Sequence, residues 1–140
     1  MPANFEPVSA SFWSPARGVA LGGVGCAGRS ACTARLAVTV DGGAHWRFLT
    51  APDVGLFDIA GAIAVPPRAS AVITLAAEYF LYRSADGGKT WKTVLFYGGG
   101  ATWSSLSYVS GTVGSVVVSS GGQWLLRTTD AGLTWHQIGF

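Results

Sequence analysis

Two carboxylates, Asp53 and Glu78, are the residues of this chain whose type and setting suit acid–base work. Cleaving a glycosidic bond takes an acid and a base on opposed faces of the bond, and these two are the pair that would supply them. Two solvated loop carboxylates are the plainer reading. The other five acids have ready structural explanations: Asp41, Asp86 and Asp130 begin Asp-x-Gly turns, Asp58 precedes an apolar run, and Glu6 lies in the N-terminal arm. Tyr79, Tyr97 and Trp103 form a second set. Such rings stack on sugars or on a protein partner when exposed, and otherwise pack between neighbouring elements.

Cys26 and Cys32 enclose five residues of a Gly-containing loop. A local disulfide is expected there; closing so short a ring restricts the unfolded chain by about 2 kcal/mol. It would imply an oxidising compartment, against the alternative of two thiols in a cytosolic loop. No C-x-x-C spacing is present, and His45 and His136 each stand beside a tryptophan, far apart in the chain, so no metal pair is expected. Gly98-Gly99-Gly100 has neither a following helical pattern nor a lysine partner and reads as a flexible connection, not a phosphate loop. No nucleophile elbow is recognisable, and neither a cofactor nor a metal is expected.

The elements that would position these residues are strands. Only 11% of the 140 residues are charged, 12% are aromatic and 20 are glycine, a mix suited to short strands joined by tight turns. One domain is expected at this length. Nine basic residues stand against seven acidic ones and are scattered, which argues against nucleic acid or an acidic membrane as partner. Apolar stretches such as 71–77 fall far short of a membrane span.

Three segments align without gaps: Thr39-Val40-Asp41-Gly42-Gly43-Ala44-His45-Trp46, Ser84-Ala85-Asp86-Gly87-Gly88-Lys89-Thr90-Trp91 and Thr128-Thr129-Asp130-Ala131-Gly132-Leu133-Thr134-Trp135. Their aspartates are 45 and 44 residues apart, the length of one four-stranded propeller blade. From Trp46 to Ala69 and from Trp91 to Gly114 the distance is 23 residues in both cases, so the inter-blade connections match. The first unit is longer by about six residues, which fall in the cysteine loop. Runs of β-branched and aromatic residues predict four strands per unit. They fall near Val8–Trp13, Val19–Gly22, Arg35–Val40 and His45–Leu49; near Asp58–Val65, Ser70–Ala76, Phe80–Ser84 and Thr90–Leu95; and near Thr102–Val109, Ser115–Val118, Gln123–Thr128 and Thr134–Ile138.

In each copy the aspartate is expected to cap backbone N–H groups of its own hairpin, with glycine (Gly43, Gly88, Gly132) in the left-handed region. Thr39, Ser84 and Thr128 add a hydroxyl, and Trp46, Trp91 and Trp135 fold back as anchors, each burial contributing about 2–3 kcal/mol. Calcium is disfavoured, because each copy offers a single acid.

This pattern, Ser/Thr-x-Asp-x-Gly-x-Thr-Trp, resembles the Asp-box or BNR repeat of sialidases, sortilin-type receptors, xyloglucan-degrading glycosidases and photosystem II assembly factors. His45 replaces the usual threonine in the first box. The resemblance implies an all-β partial β-propeller of three four-stranded antiparallel blades, spanning about 5–50, 57–96 and 101–140, in which the boxes serve the fold. The arginine cluster and tyrosine nucleophile of sialidases cannot be matched here residue by residue.

Strand alternation places the remaining loops on the opposite rim, where Asp53, Glu78, Tyr79, Tyr97, Trp103, Arg29, Arg35, Phe57 and Gln123 gather. The function expected is a non-catalytic scaffold or binding module with a protein or glycan ligand on that rim, extracellular or in the cell envelope. A glycoside hydrolase fragment is the alternative. The opening Met1-Pro2-Ala3 lacks the features of a signal peptide, so an export signal would lie outside this sequence. Three blades leave two apolar flanks, which further blades, a homodimer closing a six-blade ring, or capped ends would cover.

Overall fold

The computed structural model describes residues 2–26, 33–49, 61–68, 71–98 and 100–139. Twelve strands follow one another: β1 (Phe5–Phe12), β2 (Gly18–Val24), β3 (Thr33–Thr39), β4 (Arg47–Leu49), β5 (Gly61–Ala64), β6 (Ile73–Ala77), β7 (Phe80–Ser84), β8 (Lys92–Phe96), β9 (Thr102–Tyr108), β10 (Gly114–Ser119), β11 (Gln123–Thr128) and β12 (His136–Ile138). They form three antiparallel meanders, β1-β2-β3-β4, β5-β6-β7-β8 and β9-β10-β11-β12, and no helix occurs among the described residues. The repeat therefore corresponds to one sheet per copy. β4 and β12 begin one residue after the box tryptophan, later than the sequence predicts, because the preceding N–H groups are bonded to the box aspartate and not to a strand.

The sheets stand side by side through their first strands, β1 beside β5 and β5 beside β9. Serine hydroxyls on β1 complete this seam: Ser9 Oγ accepts from Ile63 N at 3.2 Å and Ser11 Oγ from Val65 N at 3.1 Å. Two apolar layers fill the space between blades. Val19, Leu21, Leu36, Val38 and Leu49 of the first blade meet Ile63, Ile73, Leu75 and Tyr82 of the second. Ala76 and Leu81 of the second meet Trp103, Val116, Leu126 and Trp135 of the third.

The second strand of each blade reports how many neighbours that blade has. β6, in the middle blade, is buried at every residue, whereas β10, in the last, alternates between buried and half-buried positions. One face of the third blade is uncovered. β2 is nearly all buried although its blade also has a single neighbour. Its other face carries the small residues Gly18, Ala20 and Gly22 on β2 and Ala37 on β3, and the rings of Phe5, Phe12 and Phe48 lie over them. The Arg35 guanidinium sits 4.6 Å from the centre of the Phe48 ring.

Candidate functional site

Strand alternation gives the arc two rims. One rim holds the three box hairpins and the loops joining the first and second strands, which are bonded together: Gly42 N donates to Ala16 O at 2.8 Å, Gly87 N to Ala71 O at 2.9 Å and Ala131 N to Thr112 O at 2.8 Å. Within each box the buried hydroxyl is a relay. Thr39 Oγ1 donates to Asp41 Oδ1 at 2.8 Å and accepts from Gly43 N at 2.9 Å. Ser84 does the same for Asp86 and Gly88, and Thr128 for Asp130 and Gly132.

The same carboxylate oxygen accepts the N–H four residues on, from His45, Thr90 and Thr134, each at 2.9 Å. The second oxygen is taken by the Thr90 or Thr134 hydroxyl, or by His45 Nδ1 at 2.6 Å. Both oxygens of each aspartate are thus held by donors of their own turn. The His45 N–H and ring hold the Asp41 carboxyl down at about 2, and the Thr90 and Thr134 hydroxyls and N–H groups do the same for Asp86 and Asp130. Each indole closes its turn by donating to the box glycine carbonyl, Trp46 to Gly43 O at 2.9 Å, and Trp91 and Trp135 to Gly88 O and Gly132 O at 3.1 Å.

The opposite rim has no such repetition. At the β6–β7 hairpin Glu78 has φ 51°, a left-handed conformation that side chains other than those of glycine and asparagine rarely adopt. Its carbonyl accepts from Trp103 Nε1 at 2.7 Å, so this strained turn ties the second blade to the third. Trp103 is 9% exposed and belongs to the interior between those blades. Tyr97 is half-buried, stacks edge-on against Trp103 at 6.1 Å and donates its N–H to Tyr79 O at 2.7 Å. Tyr79 is 41% exposed. Asp53 and Cys32 lie outside the described residues, and no described cysteine is free.

One group escaped the sequence reading. Phe80 and Phe96 are a cross-strand pair with centroids 5.1 Å apart, and Phe80 also touches Tyr79 and Tyr82; Phe96 is 62% exposed. Together with Tyr79 they make an aromatic surface at the edge of the second blade. The signal for it was Phe80 at the start of the expected third strand and Phe96 one residue past the end of the expected fourth. Arg83 and Arg127, equivalent positions beside successive boxes, read from the sequence as solvated or stacking residues; in the structure Arg83 Nε donates to Ala131 O at 2.9 Å, fastening the second blade to the third box.

Fold and hairpins together define a partial β-propeller pinned by Asp-boxes. Residues 82–93, which include the second box, match the model of the BNR/Asp-box repeat. No curated protein matches the sequence. Among solved structures the chain is similar to YCF48 bound to D1 peptide, at TM-score 0.70 and 18% identity, over 98% of this chain and 41% of that one. It is similar to the GH74 xyloglucanase of Xanthomonas campestris at TM-score 0.69 and 24% identity, over 96% of this chain and 18% of that one. The GH74 enzyme of Niastella koreensis gives TM-score 0.63 and 20% identity, over 97% and 22%. These likenesses are of fold, and the chain spans less than half the length of each neighbour.

Proposed function

We propose that the chain is a non-catalytic propeller scaffold that binds a protein ligand on the rim opposite the boxes. The observation that carries this reading is the exposed aromatic surface of Tyr79 and Phe96, backed by Phe80 and standing on the strained Glu78 turn. Rigid rings at a blade edge offer contact area at small entropic cost, and they suit an extended peptide. A structural neighbour that binds a peptide adds support. Fluorescence anisotropy with the D1 peptide and with a displayed peptide library tests the reading. Tyr79→Ala and Phe96→Ala should each weaken the best binder about tenfold. Binding unchanged in both variants overturns it.

A glycan-cleaving module is the second reading, favoured by the two GH74 neighbours, with Asp53 and Glu78 as its acid and base. Turnover of xyloglucan oligosaccharides that is lost in Asp53→Asn would replace the scaffold reading with this one. Location is part of the proposal: an exported protein, extracellular or in the cell envelope, with Cys26 and Cys32 paired. Its support is the absence of a free cysteine among the described residues. Two titratable thiols per unfolded, unreduced chain would exclude the pairing.

A further inference from the structure

The scatter of the basic residues along the chain, which argues against an acidic surface as partner, does not survive folding. Arg83 and Arg127 stand one residue before the ends of β7 and β11, and Arg47 and Lys92 begin β4 and β8, all at the box rim. Lys89 lies in the second box, Arg17 in the β1–β2 loop and Arg68 in the β5–β6 loop, on the same rim. Seven of the nine basic residues are therefore on one side. Among the described residues the opposite rim holds Arg35 with Glu6 and Glu78. Three carboxylates share the box rim, but both oxygens of each are held inside its own hairpin. The one ion pair among the described residues, His45 with Asp41, is part of a box, so none of the seven cations has an acidic partner there.

Apolar tips stand among these cations. The three most exposed large aliphatic side chains described are Val109 at 80%, Val40 at 64% and Leu133 at 53%, and all three lie in connections of the box rim. Leu133 and Val94 wall a cleft of about 130 Å³ that Arg83, Lys92 and Thr90 also line. Arg83 and Lys92 are cross-strand partners, so their side chains share a face. Arg83 Nε is committed to Ala131 O, which fixes the guanidinium and leaves its terminal nitrogens without an acceptor among the described residues. A fixed guanidinium fork beside an ammonium suits the oxygens of a phosphate. In the first blade Val40 lines a similar hollow with Arg47.

We propose that the box rim docks on a bilayer surface of anionic phospholipid, its cations against the headgroup phosphates and Val40, Val109 and Leu133 dipping to the acyl boundary. A soluble polyanion would engage the cations and leave the aliphatic tips in water. A neutral bilayer would take the tips and leave the cations unused. An anionic bilayer takes both, by charge attraction and by burial of apolar area. Docked in this way, the chain turns the opposite rim, with its aromatic surface, away from the membrane.

Flotation of the full chain with lipid vesicles tests this. At low salt it should bind vesicles of equal parts phosphatidylcholine and phosphatidylglycerol and should not bind phosphatidylcholine alone, and added salt should weaken the binding. Lys92→Gln should lower the partition about fivefold. Leu133→Ser, which alters no charge, should lower it about threefold. Leu133→Trp should raise it about threefold, a gain that a misfolded variant does not give. Absence of binding at low salt overturns the proposal, as does equal binding to the two kinds of vesicle. Vesicle binding that is indifferent to both Leu133 substitutions and fully displaced by heparin assigns the rim to a soluble polyanion and overturns it too.

Discussion

The first and third boxes share their hydrogen bonds, save that His45 Nδ1 takes the place of the Thr134 hydroxyl, and differ in their surroundings. Thr39, Asp41 and Gly43 are bonded as Thr128, Asp130 and Gly132 are. Yet Gly132 is buried against Tyr108 and Thr74, while a side-chain atom at Gly43 would meet only its own Trp46, at 3.6 Å. The hairpin is a local structure that forms without a neighbour. What the neighbour adds is burial, and the contribution of each box to stability should follow burial and not bonding.

The tryptophans give the widest separation. Trp135→Ala, at 9% exposure, should cost about 3–5 kcal/mol in urea unfolding. Trp46→Ala should cost about 1–2 kcal/mol, because the half-buried ring gives up less area to water. Equal costs would break the comparison.

Glycine substitutions sharpen it. All three box glycines have φ between 83° and 95°, so alanine meets the same backbone penalty of about 1–2 kcal/mol at each. Gly132→Ala adds overlap with the Tyr108 hydroxyl and a 2.8 Å contact with Thr74 Oγ1, for about 1–3 kcal/mol more. Gly88→Ala meets the mobile end of Leu49 at 2.7 Å and should fall between the other two. The order 132, 88, 43 is the outcome to look for.

Arg83→Ala should cost about 1 kcal/mol in the isolated chain through the lost bond to Ala131 O, and Arg127→Ala close to nothing under dilute conditions. Acid separates bonding from burial. The three box aspartates titrate at about 2 in the fold against 3.8 for the free side chain. Folded values below unfolded ones mean stabilisation that is complete above about pH 4 and lost as pH falls toward 2. Asp86→Asn should flatten the fall in thermal midpoint across that window, and a slope as steep as the parent's would remove the box carboxylates as its cause.

Much of this was legible in advance because the box is a short-range device. A hydroxyl, a carboxylate and a glycine within five residues satisfy one another whatever lies around them, so three copies at 45 and 44 residues were enough to place three hairpins and the strands beside them. The strands at the core carried their own signal in β-branched runs. The rim was less legible. Trp103 and Tyr97 read either as ligand contacts or as rings packed between blades, and the structure decides for packing at Trp103, bonded to a carbonyl 25 residues away. Phe80 read as an ordinary strand residue and Phe96 fell just past the expected strand, because exposure is a property of the assembled sheets.

Sequence alone determined the repeat, the antiparallel meander and the hairpin chemistry, since each depends on residues a few positions apart. Tertiary structure decided which copies of the same box are buried, which of two equivalent arginines has a carbonyl to hold, and which aromatic rings face water. Those outcomes depend on what stands beside each blade. A repeating sequence presents the same residues at every copy, and only the neighbours distinguish one copy from the next.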